Sequence, residues 1–135
     1  MEATRICLDT TFLIDFLRQL PAAVEKAEEL KEKRLDLSTT SINAFEAYIG
    51  AIRSASTKRI VALEALLGDL RIILIGKTEA EMSASIMVDL MKSGKPIEMR
   101  DALIAGCMLK NACRSIVTRN TRDFSRIPKI QVIPY

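Results

Sequence analysis

Residues 4–19, TRICLDTTFLIDFLRQ, change character at a single position. As far as Leu8 the stretch is a short apolar run with β-formers; beyond Asp9 its apolar residues recur at helical spacing. That switch predicts a strand ending at Asp9 and a helix after it, with Thr10 as cap. The alternation continues along the chain. Pro21 opens an amphipathic helix, AAVEKAEELKEKR, laced with opposite charges. LDLST (35–39) reads as a second strand, and a helix runs from about Ser41 to Ser54. TKRIVALEALLGDL is another helix, and RIILI (71–75) is the clearest strand of all. In TEAEMSASIMVDLMKSG, Thr78 reads as cap, Glu81 completes a capping box, and Gly94 lies just past the helix end. A helix over 101–112, apolar on every side, reads as buried all round. SIVT (115–118) is a strand, followed by a loop with Phe124 and Pro128 and by the short strand QVIPY. Strands alternating with helices predict one α/β domain, residues 1–135, around a parallel sheet.

Composition narrows the chemistry. With 135 residues, 49% of them hydrophobic and 27% charged, the chain suits a compact domain that needs no disulfide or metal staple. No stretch approaches a membrane span, and MEATRICLDTTFL lacks the pattern of a signal peptide. Cys7, Cys107 and Cys113 are odd in number and lack CxxC spacing, so a reduced, cytoplasmic protein is expected. Histidine is absent. Zinc binding, a Ser-His-Asp or Cys-His nucleophile and an imidazole base are therefore disfavoured, leaving carboxylates, lysines, hydroxyls or a metal. Charge is uneven: residues 92–129 carry nine Lys/Arg and three acids, the remainder eleven and fourteen. A basic region suits a polyanionic partner, although solvated surface explains most such runs.

Functional groups of open α/β sheets gather beyond the carboxyl ends of the strands. Asp9 follows the first strand, while Asn120 and Asp123 follow SIVT, so all three fall on one edge. Glu46, in SINAFEAYIGAI, has Ile42, Asn43, Ile49 and Gly50 as its one-turn neighbours, so its helix offers it no cationic partner, and Gly50 there would admit another backbone. Asp101 opens the apolar helix, where an unpaired charge is expensive to desolvate. Each acid also has a plainer reading. Asp9 and Asp101 would cap helices, Asn43 and Glu46 would form a capping box, and Asp123 would serve a turn. Asp15, three residues before Arg18, reads as simply paired. Four acids converging on one edge would repel, and a hard divalent cation, Mg²⁺ or Mn²⁺, would remove that conflict and acidify a water. Arg100, Arg119 and Arg122 nearby would suit a phosphate backbone.

ICLDTTFLIDFL, INAFEAYIGA, EMRDALIAG and VTRNTRDFSRIPKIQVI resemble, in order and spacing, the four signature segments of PIN-domain proteins. The VapC-like toxins of type II toxin–antitoxin pairs are the nearest group. The resemblance implies a three-layer fold with a mostly parallel sheet flanked by helices. It implies Mg²⁺- or Mn²⁺-dependent cleavage of RNA, a small antitoxin plugging the acidic cleft, and a homodimer. Asp9, Glu46 and Asp101 match the acidic metal positions, with Thr10 and Thr118 at supporting hydroxyl positions. Many relatives carry aspartate where this chain has Asn120, so either Asn120 or Asp123 would complete the site. Glu98 is an extra acid, a ligand or relay on one reading and loop surface on another. A haloacid-dehalogenase-like phosphatase would need an aspartate where Thr11 stands, and no GxxxxGK[S/T] or GxGxxG occurs. The second alternative is a PIN-like module that binds RNA or protein without cutting, for which Asn120 is the support.

Overall fold

The computed structural model describes residues 3–135. Strand β1 (Arg5–Leu8) leads into α1 (Thr10–Leu17) and α2 (Pro21–Glu32). β2 (Asp36–Thr40) leads into α3 (Ser41–Arg53) and α4 (Thr57–Gly68), and β3 (Arg71–Ile73) into α5 (Lys77–Lys92) and α6 (Met99–Lys110). β4 (Cys113–Val117), α7 (Thr121–Phe124) and β5 (Gln131–Ile133) complete the chain. All strand pairs are parallel, in the order β3-β2-β1-β4-β5.

Alternation along β1 builds three layers. Ile6 and Leu8 face Phe12, Leu13, Ala23 and Leu30 of α1 and α2. Cys7 faces the opposite side, among Ile104, Ala105 and Met108 of α6 and Ile86 and Leu90 of α5. A third apolar cluster, Ala47, Ala51, Leu63 and Leu67, joins α3 to α4. Close packing of α6 on α5 depends on Gly106: a Cβ there would lie 1.9 Å from Ser83 Oγ and 2.7 Å from the Glu79 carbonyl oxygen. The chain therefore cannot carry even alanine at 106 without moving α5 backbone.

Strands β2 and β3 step away from β1 on one side, and β4 and β5 lie on the other. The direction of winding reverses between β1 and β4, which opens a crevice at their carboxyl ends. Asp9 and Thr118 stand at that crevice, directly after β1 and β4.

Several local expectations are corrected. RIILI forms only three strand residues, and Leu74 is 70% exposed. The reason is the neighbour: β2 turns into α3 at Ser41, so the ladder has no partner beyond Thr40–Ile73. The expected Thr78–Glu81 capping box is absent: Gly76 is the α5 N-cap residue, and its N–H donates to Glu79 Oε1 at 2.9 Å. Asp9, not Thr10, is the α1 N-cap residue. The buried helix starts at Met99 rather than 101, with Glu98 as its N-cap residue, and the loop after β4 contains α7. Gly94 does end α5 in the left-handed region, with φ of 72°. Nothing approaches Gly50, so the close backbone contact expected there is absent. Among the described residues, no helix is long and apolar enough to cross a membrane.

Candidate active site

Asp9 is fully buried, and its side chain makes no cap hydrogen bond to α1. It faces sideways across the crevice instead. Thr118 Oγ1 donates to its Oδ2 at 2.6 Å, and Asn43 Nδ2 donates to its Oδ1 at 2.9 Å. A buried carboxylate is stable only when its lone pairs are matched by donors, and here the end of β4 and the first turn of α3 supply them.

Asn43 is the residue that sequence reasoning missed. It lies fully buried in the first turn of α3, where it forms a reciprocal capping box with Thr40, not with Glu46. Its Oδ1 accepts from Thr40 Oγ1 at 2.7 Å, which turns its Nδ2 towards Asp9 and also towards Thr10 Oγ1 at 2.9 Å. The available signal was TTSIN itself: a threonine three residues before an amide is a cap pattern. Thr10 in turn donates to Glu46 Oε1 at 2.6 Å. The hydroxyls at 10 and 118 thus each hold one acid in place.

Glu46 finds its cation on another helix. Arg100 Nε meets Glu46 Oε2 at 2.6 Å, Nη2 meets Asp9 Oδ1 at 2.8 Å, and Nη1 meets Asp101 Oδ1 at 2.5 Å. One guanidinium therefore bridges three carboxylates from β1–α1, α3 and α6. Burial alone would lower the Arg100 pKa, but Glu46 and Asp9 more than offset this and hold it above its ordinary value. Burial pushes the Asp101 carboxyl up; the Arg100 charge opposes that rise, while Asp9 and Asp123 add to it.

Asn120 Nδ2 reaches Asp101 Oδ2 at 3.3 Å, whereas Asp123, half-buried on α7, acts on Asp101 only through its charge. Glu98 is exposed at the mouth of α6 and stands outside the carboxylate cluster. Arg122 is exposed on α7. Arg119 is 59% exposed yet committed: its Nε meets Asp15 Oδ2 at 2.8 Å. Asp15 is therefore paired with Arg119 rather than with Arg18, its helical neighbour. The three cysteines are buried, and burial pushes each thiol up, Cys107 to about 11, so none is poised as a nucleophile.

Among the described residues, no three acids are grouped closely enough to hold a metal ion as they stand. The donor chemistry nevertheless fits one. Asp9, Glu46 and Asp101 offer hard oxygen donors converging on a single cationic centre, with the Asn120 amide beside them. Three carboxylates against one guanidinium leave an excess of negative charge suited to a divalent ion.

The family model for the PIN domain matches residues 6–130. The chain belongs to the PIN-domain family. A curated relative, the tRNA(fMet)-specific endonuclease VapC of Shigella flexneri, is 27% identical over 124 residues, covering 91% of this chain and 92% of the relative. A solved VapBC2 from Rickettsia felis, bound to a promoter DNA fragment, superposes with a TM-score of 0.81 at 23% identity over 98% of this PIN domain and 99% of that chain. DNA-bound VapBC from Salmonella typhimurium gives 0.80 at 25% identity, over 97% and 98% of the two chains. The expected three-layer α/β fold is thus the fold of this family.

Proposed function

We propose that this PIN domain is a Mg²⁺- or Mn²⁺-dependent endoribonuclease, the toxin of a type II toxin–antitoxin pair. The observation that carries the reading is the convergence of Asp9, Glu46 and Asp101, from three separate elements, on one cation at the switch point of the sheet. Family membership and relatives named as VapC endonucleases support it.

Asp9, Glu46 and Asp101 would hold the divalent ion, with the Asn120 carbonyl beside them and Asp123 close enough to add charge. Such an ion stabilises charge on a phosphoryl oxygen and acidifies a water. The chain's own contribution is orientation. Asn43 and Thr118 fix both oxygens of Asp9, and Thr10 fixes Glu46. Asp9, Asn43 and Thr118 are fully buried and bonded to one another, so the Asp9 carboxylate keeps one orientation as charge develops beside it. Exposed Arg122 lies on the helix beside the crevice, where it can meet RNA phosphate.

The partner is a small antitoxin, by the company this fold keeps in toxin–antitoxin complexes. A groove of about 140 Å³ between α1, α3 and α4, lined by Leu17, Ala47, Ala51 and Leu63, offers an apolar seat for its segment. Phe45, Ile49 and Ile52 expose an apolar stripe on α3, which supports a homodimer. A cytoplasmic location agrees with three free cysteines.

The test is cleavage of purified RNA with Mn²⁺ or with EDTA, starting from initiator tRNA because the Shigella relative's name specifies it. Cleavage by the wild type should need the metal, and Asp9→Asn and Asp101→Asn should each lose about 10²-fold or more. If both variants cut as well as the wild type, the catalytic assignment is wrong.

A further inference from the structure

Arg100 is the least expected resident of the site. The sequence places it as a ligand for RNA phosphate, but its side chain points inward and is only 25% exposed. All three guanidinium nitrogens are engaged: Nε with Glu46, Nη1 with Asp101, and Nη2 with Asp9, while Nη2 also reaches Thr10 Oγ1 at 3.3 Å. Planar, forked geometry lets one arginine reach three acids through three separate nitrogens, whereas a lysine offers its donors from a single nitrogen.

These same oxygens are the ones a divalent ion would need. A guanidinium and a divalent ion cannot both sit among them, because at that separation two cations repel strongly. The carboxylates would also have to close inward around the smaller ion, where the guanidinium now stands. Arg100 has somewhere to go. It lies in the first turn of α6, next to Met99, which is 68% exposed, so a rotation of its side chain carries the charge into solvent at the crevice mouth.

We infer that Arg100 is a resident counter-ion which a divalent metal must displace, and that metal loading turns its guanidinium outward to the crevice where phosphate arrives. This deepens the metal-nuclease reading above and rests on it. While inside, Arg100 neutralises part of the carboxylate charge and keeps the three acids aligned. Apparent metal affinity is then reduced by the fraction of molecules with the arginine inside, as for any ligand that binds only one of two states. Nuclease activity would accordingly switch on at a higher metal level than the acids alone would set, and a single residue would serve first as inhibitor and then as substrate contact.

Mn²⁺ titration calorimetry on wild type, Arg100→Gln and Arg100→Lys, with melting of each protein in EDTA and in Mn²⁺, tests the exchange. Arg100→Gln should bind Mn²⁺ at least about tenfold tighter, melt lower in EDTA, and gain more on adding Mn²⁺. Arg100→Lys, with one nitrogen in place of three, should fall between. Wild-type protein supplies a check that no substitution can spoil. Its Arg100 Nε–H nuclear resonance should lose its hydrogen-bonded shift and exchange faster with water when Mg²⁺ is added. Mn²⁺ binding that is equal or weaker in Arg100→Gln, or an Nε–H signal unmoved by bound Mg²⁺, overturns the exchange and leaves the metal reading standing. No Mn²⁺ binding in any of the three proteins overturns both.

Discussion

Asp9 and Asp15 begin and end the same short stretch, both are buried, and both meet an arginine from the far end of the chain. Their surroundings differ in stoichiometry. At Asp15 one carboxylate faces one guanidinium, Arg119, and the Tyr135 hydroxyl donates the remaining bond at 2.6 Å. Charge and hydrogen bonds close there, and Tyr135 packs edge-on against Phe12 with ring centroids 5.1 Å apart. At Asp9 three carboxylates share one guanidinium, so charge does not close. A balanced buried pair is architecture. An unbalanced one carries excess negative charge, and the proposed metal site rests on that excess.

Substitutions should separate the two aspartates by kind of loss. Asp15→Ala is expected to lower stability by about 2 kcal/mol, read by urea unfolding, because the hydrogen bonds of a charged group are lost. It should stay below the 3–5 kcal/mol roughly typical of a fully buried pair, because Arg119 is 59% exposed and regains water. The Mn²⁺-induced rise in melting temperature should persist in Asp15→Ala and vanish in Asp9→Asn. A vanished rise in both would mean that the Asp15 cluster is part of the metal site.

A smaller effect concerns Tyr135. Burial, with the Asp15 hydrogen bond next, pushes its hydroxyl up to about 12 from an ordinary value near 10. The unfolded tyrosine ionises first as pH rises, so the folded state binds more protons in that interval and wild-type stability falls between about pH 10 and 12. Tyr135→Phe should lose about 1 kcal/mol at neutral pH and flatten the alkaline fall relative to wild type. Parallel curves for the two proteins would show that the hydroxyl does not hold Asp15.

The smallest effect distinguishes the arginines outside the cluster. Arg122→Gln should reduce the salt dependence of RNA binding by a slope of about 0.7, the value for one phosphate contact to a single strand. Arg119→Gln should behave like Asp15→Ala, losing stability first. A reversed pattern would reassign which of the two meets RNA.

Much of this architecture is legible in the primary structure because it depends on period and order. Ile6, Cys7 and Leu8 followed by the helical spacing of α1 state a strand and a helix, and the repeated alternation states a parallel sheet. RIILI was misleading because hydropathy cannot report that β2 ends at Thr40 and leaves Leu74 without a ladder partner. Thr78 and Glu81 were a good capping pair on paper, but α5 begins at Lys77, so Thr78 already lies inside the helix and Gly76 takes the N-cap position. Asp9 and Asp101 could be singled out because each stands at the end of an element, and Glu46 because its own helix offers it no cationic partner. Asn43 could be read only as a capping residue, since its bond to Asp9 uses the other end of the same amide.

The amino-acid sequence alone determined that the chain is an α/β domain with carboxylates beyond its strand ends, without imidazole, and with cationic residues late in the chain. These are properties of residue type and spacing, which local physics translates directly. Only the tertiary structure decided that Arg100 turns inward to bridge three acids, while Arg119 serves Asp15 and Tyr135. Apart from the adjacent Arg100 and Asp101, these partners lie 54 to 120 residues apart, and they are chosen by where strands and helices dock and by which buried charge would otherwise go unmatched.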